Sequence, residues 1–145
     1  RWQAMFAPPT HSADPLEHAL SWHLQGALAA VECEPWTGET ESERAALRAR
    51  LHCNMVAQLE LAGNMCEWAV FAAMHLEDAG ARNALVGELL GRHCEEWTGN
   101  PAKRAFLREV LRVPAQLLAA TEAQRAFYGR EWRAELGHCA AAGAW

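Results

Sequence analysis

The sequence contains no isoleucine, a single tyrosine and only six valines. Strands draw on β-branched and aromatic residues, so this scarcity leaves little from which to build a sheet. It also lacks a long apolar run. The longest, Trp68-Ala69-Val70-Phe71-Ala72-Ala73-Met74, falls well short of the roughly 20 residues that span a bilayer. The opening Arg1-Trp2-Gln3 lacks the charged-then-apolar order of a signal peptide. It also lacks an initiator methionine, which points to a segment cut from a longer chain. Positive charge is in deficit: 13 basic residues face 18 acidic ones, for a formal charge of −5. A nucleic-acid binder needs a clustered basic surface, and none is visible.

What is abundant is alanine, with 30 residues, followed by leucine, glutamate and arginine. These are strong helix formers, and hydrophobic residues make up 51% of the chain, enough for a thin, closely packed core. The expected fold class is all-α, an antiparallel stack of about six or seven helices. At 145 residues this is one compact domain or one piece of a helical array. Residues 1–13 read as an extended lead-in and residues 14–145 as the helical segment. The five cysteines are odd in number and widely spaced, which fits free, mostly buried thiols in a reducing compartment.

Breakers divide the chain. Asp14-Pro15 reads as an N-cap followed by proline at the first helical position. The helix behind it carries Leu16, Leu20, Leu24, Ala27, Leu28 and Val31 at a 3.6-residue period. Its other side, with Ala19, Trp22, Gly26, Ala29 and Cys33, is also mostly apolar, which predicts a helix sandwiched between neighbours. Glu34 to Ser42 is a polar, acidic loop. A second helix is expected from about Glu43 to Ala62, ended by Gly63-Asn64. A third, about Met65 to Asp78, is apolar nearly all round and should be the most buried, with Gly80 closing it. A fourth runs from about Arg82 to Trp97. Thr98-Gly99-Asn100-Pro101 restarts the chain for a short fifth helix, Pro114 opens a sixth, and Gly129 separates a last one containing Trp132. The predicted core includes Leu20, Trp22, Leu24, Trp68, Phe71, Leu89, Leu90 and Trp132. Trp68→Ala is accordingly expected to cost ~3–5 kcal/mol. Trp36, in the acidic loop, is the candidate anchor for a partner.

Chemical candidates are weak. His52-Cys53, His93-Cys94 and His138-Cys139 are adjacent pairs, whose side chains diverge by about 100° on a helix and cannot chelate one ion locally. Cys66 and His75 lie nine residues apart in one predicted helix, about 13 Å along its axis. No nucleophile elbow, zinc-protease motif or phosphate loop occurs. The expectation is therefore no catalytic residue, no cofactor, no metal and no enzyme.

A further step rests on ordered short motifs. Asp14 with Leu20-Ser21-Trp22-His23-Leu24, then Glu67-Trp68-Ala69-Val70-Phe71 with His75-Leu76, then Glu88-Leu89-Leu90 and Arg92-His93-Cys94, and finally Leu111-Arg112-Val113-Pro114 follow one another with characteristic gaps. From about Asp14 to Trp145 the chain resembles the nucleoporin 96 family, the C-terminal product of a self-cleaving nucleoporin precursor. The resemblance implies an ancestral coatomer element, a helical stack that doubles back on itself. It also implies a structural part in the Y-shaped scaffold of the nuclear pore, at the nuclear envelope. The partners it implies are other helical nucleoporins and, through upstream strands, a β-propeller subunit, without nucleic acid or membrane insertion. Gln25-Gly26-Ala27 and the acidic loop depart from the family pattern. Two other classes remain open: an edge protein of a vesicle coat, and a helical enzyme with a His/Cys site assembled across helices.

Overall fold

The computed structural model describes residues 6–31 and 40–143, the side chain of Trp132 excepted, and among these residues it contains helices and no strand. After a 3-10 turn at Pro8–Thr10 come α1 (Ala19–Ala30), α2 (Glu41–Ala62), α3 (Cys66–Ala73), α4 (Ala79–Arg92) and α5 (Cys94–Thr98). They are followed by α6 (Pro101–Ala105), which runs into a π turn (Phe106–Val110), then α7 (Ala115–Tyr128) and α8 (Trp132–Ala142). Most consecutive helices pack as neighbours, with the α7–α8 and α2–α3 pairings the most extensive, and α7 returns to lie against α4.

Local chemistry accounts for most boundaries. Thr40 caps α2 in a full capping box: its hydroxyl accepts from the Glu43 N–H, and the Glu43 carboxylate accepts from the Thr40 N–H at 2.7 Å. The chain leaves α2 through Gly63 (φ 72°) and Asn64 (φ 54°), both left-handed. Asn100 accepts from the Ala102 N–H at 3.0 Å, and Pro101 occupies the first position of α6. The π turn closes with Leu111 donating to the Phe106 carbonyl at 3.0 Å, and Arg112 then turns left-handed (φ 55°) before Pro114.

The core sits where α3, α4, α5 and α7 meet. Ala69, Ala72 and Ala73 make α3 slim enough for close approach, and Val70, Leu89, Leu90, Leu107 and Trp97 fill the space beside it. Trp97 is fully buried, and its indole N–H donates to the Leu90 carbonyl at 3.0 Å. A second, smaller cluster joins Phe6, Leu47 and Leu51, with Leu28 packed against it. The lead-in thus contributes a buried aromatic anchor rather than only extended chain.

Four expectations are corrected here. α1 begins at Ala19, not after Asp14-Pro15. The Asp14 carboxylate accepts from the Leu16 N–H at 2.9 Å, making a local turn, and the first turn of the helix is satisfied from elsewhere: Gln58 accepts from the His18 N–H at 2.6 Å and Glu17 from the Ala19 N–H at 2.9 Å. The third helix ends at Ala73 rather than near Asp78, and Gly80 lies inside α4. Asp78 caps that helix by accepting from the Ala81 N–H, and this outweighs the glycine as a local signal. The fourth helix breaks at His93, so Trp97 belongs to the separate turn α5.

The fourth correction concerns the core. Leu20 is 53% exposed and Leu24 38%, because α1 turns Ser21 and Gln25 inward instead. Trp68 is 43% exposed, because only the Cys66/Ala69/Val70/Ala73 side of α3 faces α4 and α5. Trp22 and Phe71 are half-buried, whereas Leu89 and Leu90 are buried. Trp132 opens α8, with its side chain outside the described part. Trp36 lies outside the described residues.

Candidate interaction surface

The three His-Cys pairs are separate, and each histidine has its own partner. The Trp22 indole N–H donates to Nδ1 of His52 at 2.8 Å, tying α1 to α2. That bond requires an unprotonated Nδ1, so the neutral ring carries its proton on Nε2. Burial, reinforced by the neighbouring His75, lowers the His52 pKa to about 4. His93 meets Glu60 at 2.9 Å and Glu96 at 3.3 Å, and His138 meets Glu122 at 3.3 Å. Cys66 and Cys94 are buried, Cys139 is half-buried and Cys53 is exposed.

One polar cluster sequence reasoning missed lies at the edge of the core. Lys103, buried in α6, donates to the Asn64 carbonyl at 2.6 Å, to Glu67 at 2.7 Å and to Glu96 at 2.6 Å. Burial opposes the charges on Lys103 and Glu96, but their mutual hydrogen bonds win, raising the lysine pKa and lowering the carboxylate's. The ligand atoms of Cys66, Glu67 and Glu96 lie within 4.8 Å of one another, close enough for a metal ion. The lysine ammonium occupies that role, bonded to both carboxylates. Burial pushes the Cys66 thiol up to about 12, which leaves it protonated and unreactive at neutral pH. The cluster clamps the end of α2 to α3, α5 and α6. Its signal in the sequence was a lysine at the third position of a helix that otherwise presents alanine and arginine. Only the fold reveals the carboxylates it meets.

The exposed surface is more informative. Trp22 lies 5.4 Å from His75 and 6.2 Å from Phe71, ring centre to ring centre. Phe71 lies 6.0 Å from Trp68, and Trp68 lies 5.1 Å from Phe106 of the π turn. These contacts make a continuous aromatic strip crossing α1, α3 and the π turn, open to solvent at Trp68. Beside its Trp22 end runs a groove of about 620 Å³. On the outer face of α1, Leu20, Leu24 and Val31 form a second apolar row. Exposed apolar patches of this kind are a common feature of interaction sites.

Fold and surface together define an all-helical module that carries an aromatic strip and exposed apolar residues among its described residues. A family model described as "Nuclear protein 96" matches residues 1–125. The chain is 30% identical over 118 residues to "Nuclear pore complex protein NUP96" of Arabidopsis thaliana, across 79% of this chain and 10% of that protein. It is 28% identical over 124 residues to "Nuclear pore complex protein Nup98-Nup96" of Drosophila melanogaster, across 82% of this chain and 6% of that protein. The chain belongs to the nucleoporin 96 family of nuclear pore complex proteins. It spans a tenth or less of the length of these two relatives.

Proposed function

We propose that this chain is a structural, non-enzymatic segment of the Y-shaped scaffold of the nuclear pore, held there by contacts with other helical nucleoporins. The observation that supports this reading most directly is the aromatic strip from Trp22 to Phe106, open to solvent at Trp68 and borne on a helical stack of a family of pore proteins. A scaffold needs rigid helices and contact faces. The core around Trp97 supplies the first and the strip supplies the second. The acidic balance of the chain fits protein contacts better than nucleic acid. In this reading a β-propeller partner is engaged through upstream strands of the family rather than through this helical segment.

The test uses the complete protein in cells, with Trp97→Ala set against the strip variant Trp68→Ser. Both should lower co-purification with other helical pore subunits and dim the nuclear rim, the first by unfolding and the second with the fold retained. A rim signal and subunit recovery unchanged in both variants would overturn the reading.

A further inference from the structure

Helix α4 stops at His93, whose φ of −105° and ψ of 22° leave the helical region, and α5 restarts at Cys94. The His93 ring fills the corner between the end of α2 and the start of α5. Its Nε2 stands 2.9 Å from Glu60 Oε1 on α2, and its Nδ1 stands 3.3 Å from Glu96 Oε2 on α5. A neutral imidazole has one N–H and one bare nitrogen, so it can donate toward only one of these carboxylates. The bare nitrogen then faces a carboxylate oxygen, lone pair to lone pair. Imidazolium carries a hydrogen on each nitrogen and suits both. The surrounding charge points the same way. Glu60, Glu88, Glu67 and Glu96 are set against the cations Arg92 and Lys103, which leaves carboxylate in excess. Burial opposes the Glu60 charge, but hydrogen bonds from Arg92 and His93 outweigh it and lower its pKa. On the α7 side Arg125 lies 3.9 Å from both Glu95 and Glu131, and burial raises the Cys94 thiol, keeping it neutral.

We propose that His93 is a proton-operated bridge at this corner: as imidazolium it ties Glu60 on α2 to Glu96 on α5, and as neutral imidazole it keeps Glu60 and releases Glu96. The shorter contact, to Glu60, decides where the single remaining hydrogen stays, on Nε2. Glu96 loses the ring but keeps the Lys103 ammonium at 2.6 Å and the Cys66 N–H at 3.2 Å. α5 therefore shifts without unfolding, with Trp97 still in the core. The ring is 24% exposed, so water can deliver and remove the proton. Imidazole is the side chain whose charge changes between about pH 5 and 8, a range in which carboxylates, arginine and lysine ordinarily keep theirs. The bridge goes beyond the scaffold reading and does not depend on it.

Nitrogen–proton NMR spectra of the whole chain read the hydrogens on each ring nitrogen, and backbone amide spectra read α5. At about pH 5 His93 should carry hydrogen on both nitrogens, and at about pH 8 on Nε2 alone. The amide peaks of Glu95, Glu96 and Trp97 should move in the same step, while those of Val70 and Leu118 in the core stay. His93→Gln puts an uncharged side chain at a partly exposed site, and in this variant the α5 peaks should hold still across the same range. That variant also separates His93 from the six other histidines. α5 peaks that ignore the ring's change, or that move equally in His93→Gln, overturn the proposal. So does a ring whose hydrogens do not change between the two conditions, or one that keeps its last hydrogen on Nδ1.

Discussion

Helices α1 and α4 are similar in length, 12 and 14 residues, and both are rich in alanine and leucine. Yet they join the molecule in opposite ways. α4 turns Val86, Leu89 and Leu90 into the core, and Trp97 one turn beyond completes the packing. α1 turns Ser21 and Gln25 inward and leaves Leu20 and Leu24 facing water. Its hold on the body depends on directed bonds, Trp22 to His52 and Gln58 to the His18 N–H, together with Leu28. The difference teaches that an apolar period specifies a helix but not the face the fold will cover. Among the described residues the apolar row of α1 stays uncovered, while that of α4 fills the core.

The largest effect that tests this contrast lies in the core. Trp97→Ala should cost ~3–5 kcal/mol, from lost transfer energy plus a cavity, and should lower the urea midpoint sharply. Lys103→Met should follow at about 3 kcal/mol, because it leaves Glu67 and Glu96 half-buried without their shared cation. A urea melt checks both, and a Lys103→Met protein as stable as the parent would show the clamp to be dispensable.

The seam of α1 should be sensitive to acid. The folded state lowers the His52 pKa to about 4, below its ordinary 6.5, so the unfolded chain takes up the proton first as pH falls. The stabilisation is fully present above about pH 6.5 and is lost on descending toward pH 4, to a total of about 3 kcal/mol. His75 and Arg48 push the same way and Glu77 opposes them. His52→Gln should flatten this part of the stability profile, measured by melts from pH 4 to 7.

Much of the chain's division was legible because its signals are local. Gly63-Asn64, Asn100-Pro101, Pro114 and Gly129 act through a few residues' own backbone preferences, and helices end or restart at each. Asp78 and Gly80 show the limit: two local signals two residues apart competed, and the cap prevailed. Burial was less legible. α1 and α3 are apolar on more than one side, so the pattern allowed several inward faces and tertiary packing chose among them. Trp68 illustrates the consequence. At 43% exposure, Trp68→Ala should cost about 1–2 kcal/mol rather than the core value, with a small shift in melting temperature. The strip and groove were not legible at all, since Trp22 and His52 come from two helices and His75 from the turn after α3, all far apart in sequence. The same holds for the histidines of the His-Cys pairs, whose partners Trp22, Glu60 and Glu122 lie well away along the chain.

The smallest expected effect is the one that sharpens the comparison most. Leu20 lies on the outer row of α1, one helical turn before Leu24, and contributes nothing to either core cluster. Leu20→Ser removes apolar surface that is already half in water, and serine costs a helix interior only a few tenths of a kcal/mol. The change in stability should stay within about 0.5 kcal/mol, as for other surface substitutions. Leu89→Ser, the corresponding change on α4, places a hydroxyl in a fully buried apolar site and should cost several kcal/mol. Paired thermal melts decide the matter. If Leu20→Ser destabilised the protein as much as Leu89→Ser, the outer row of α1 would be part of the core and the contrast between the two helices would collapse.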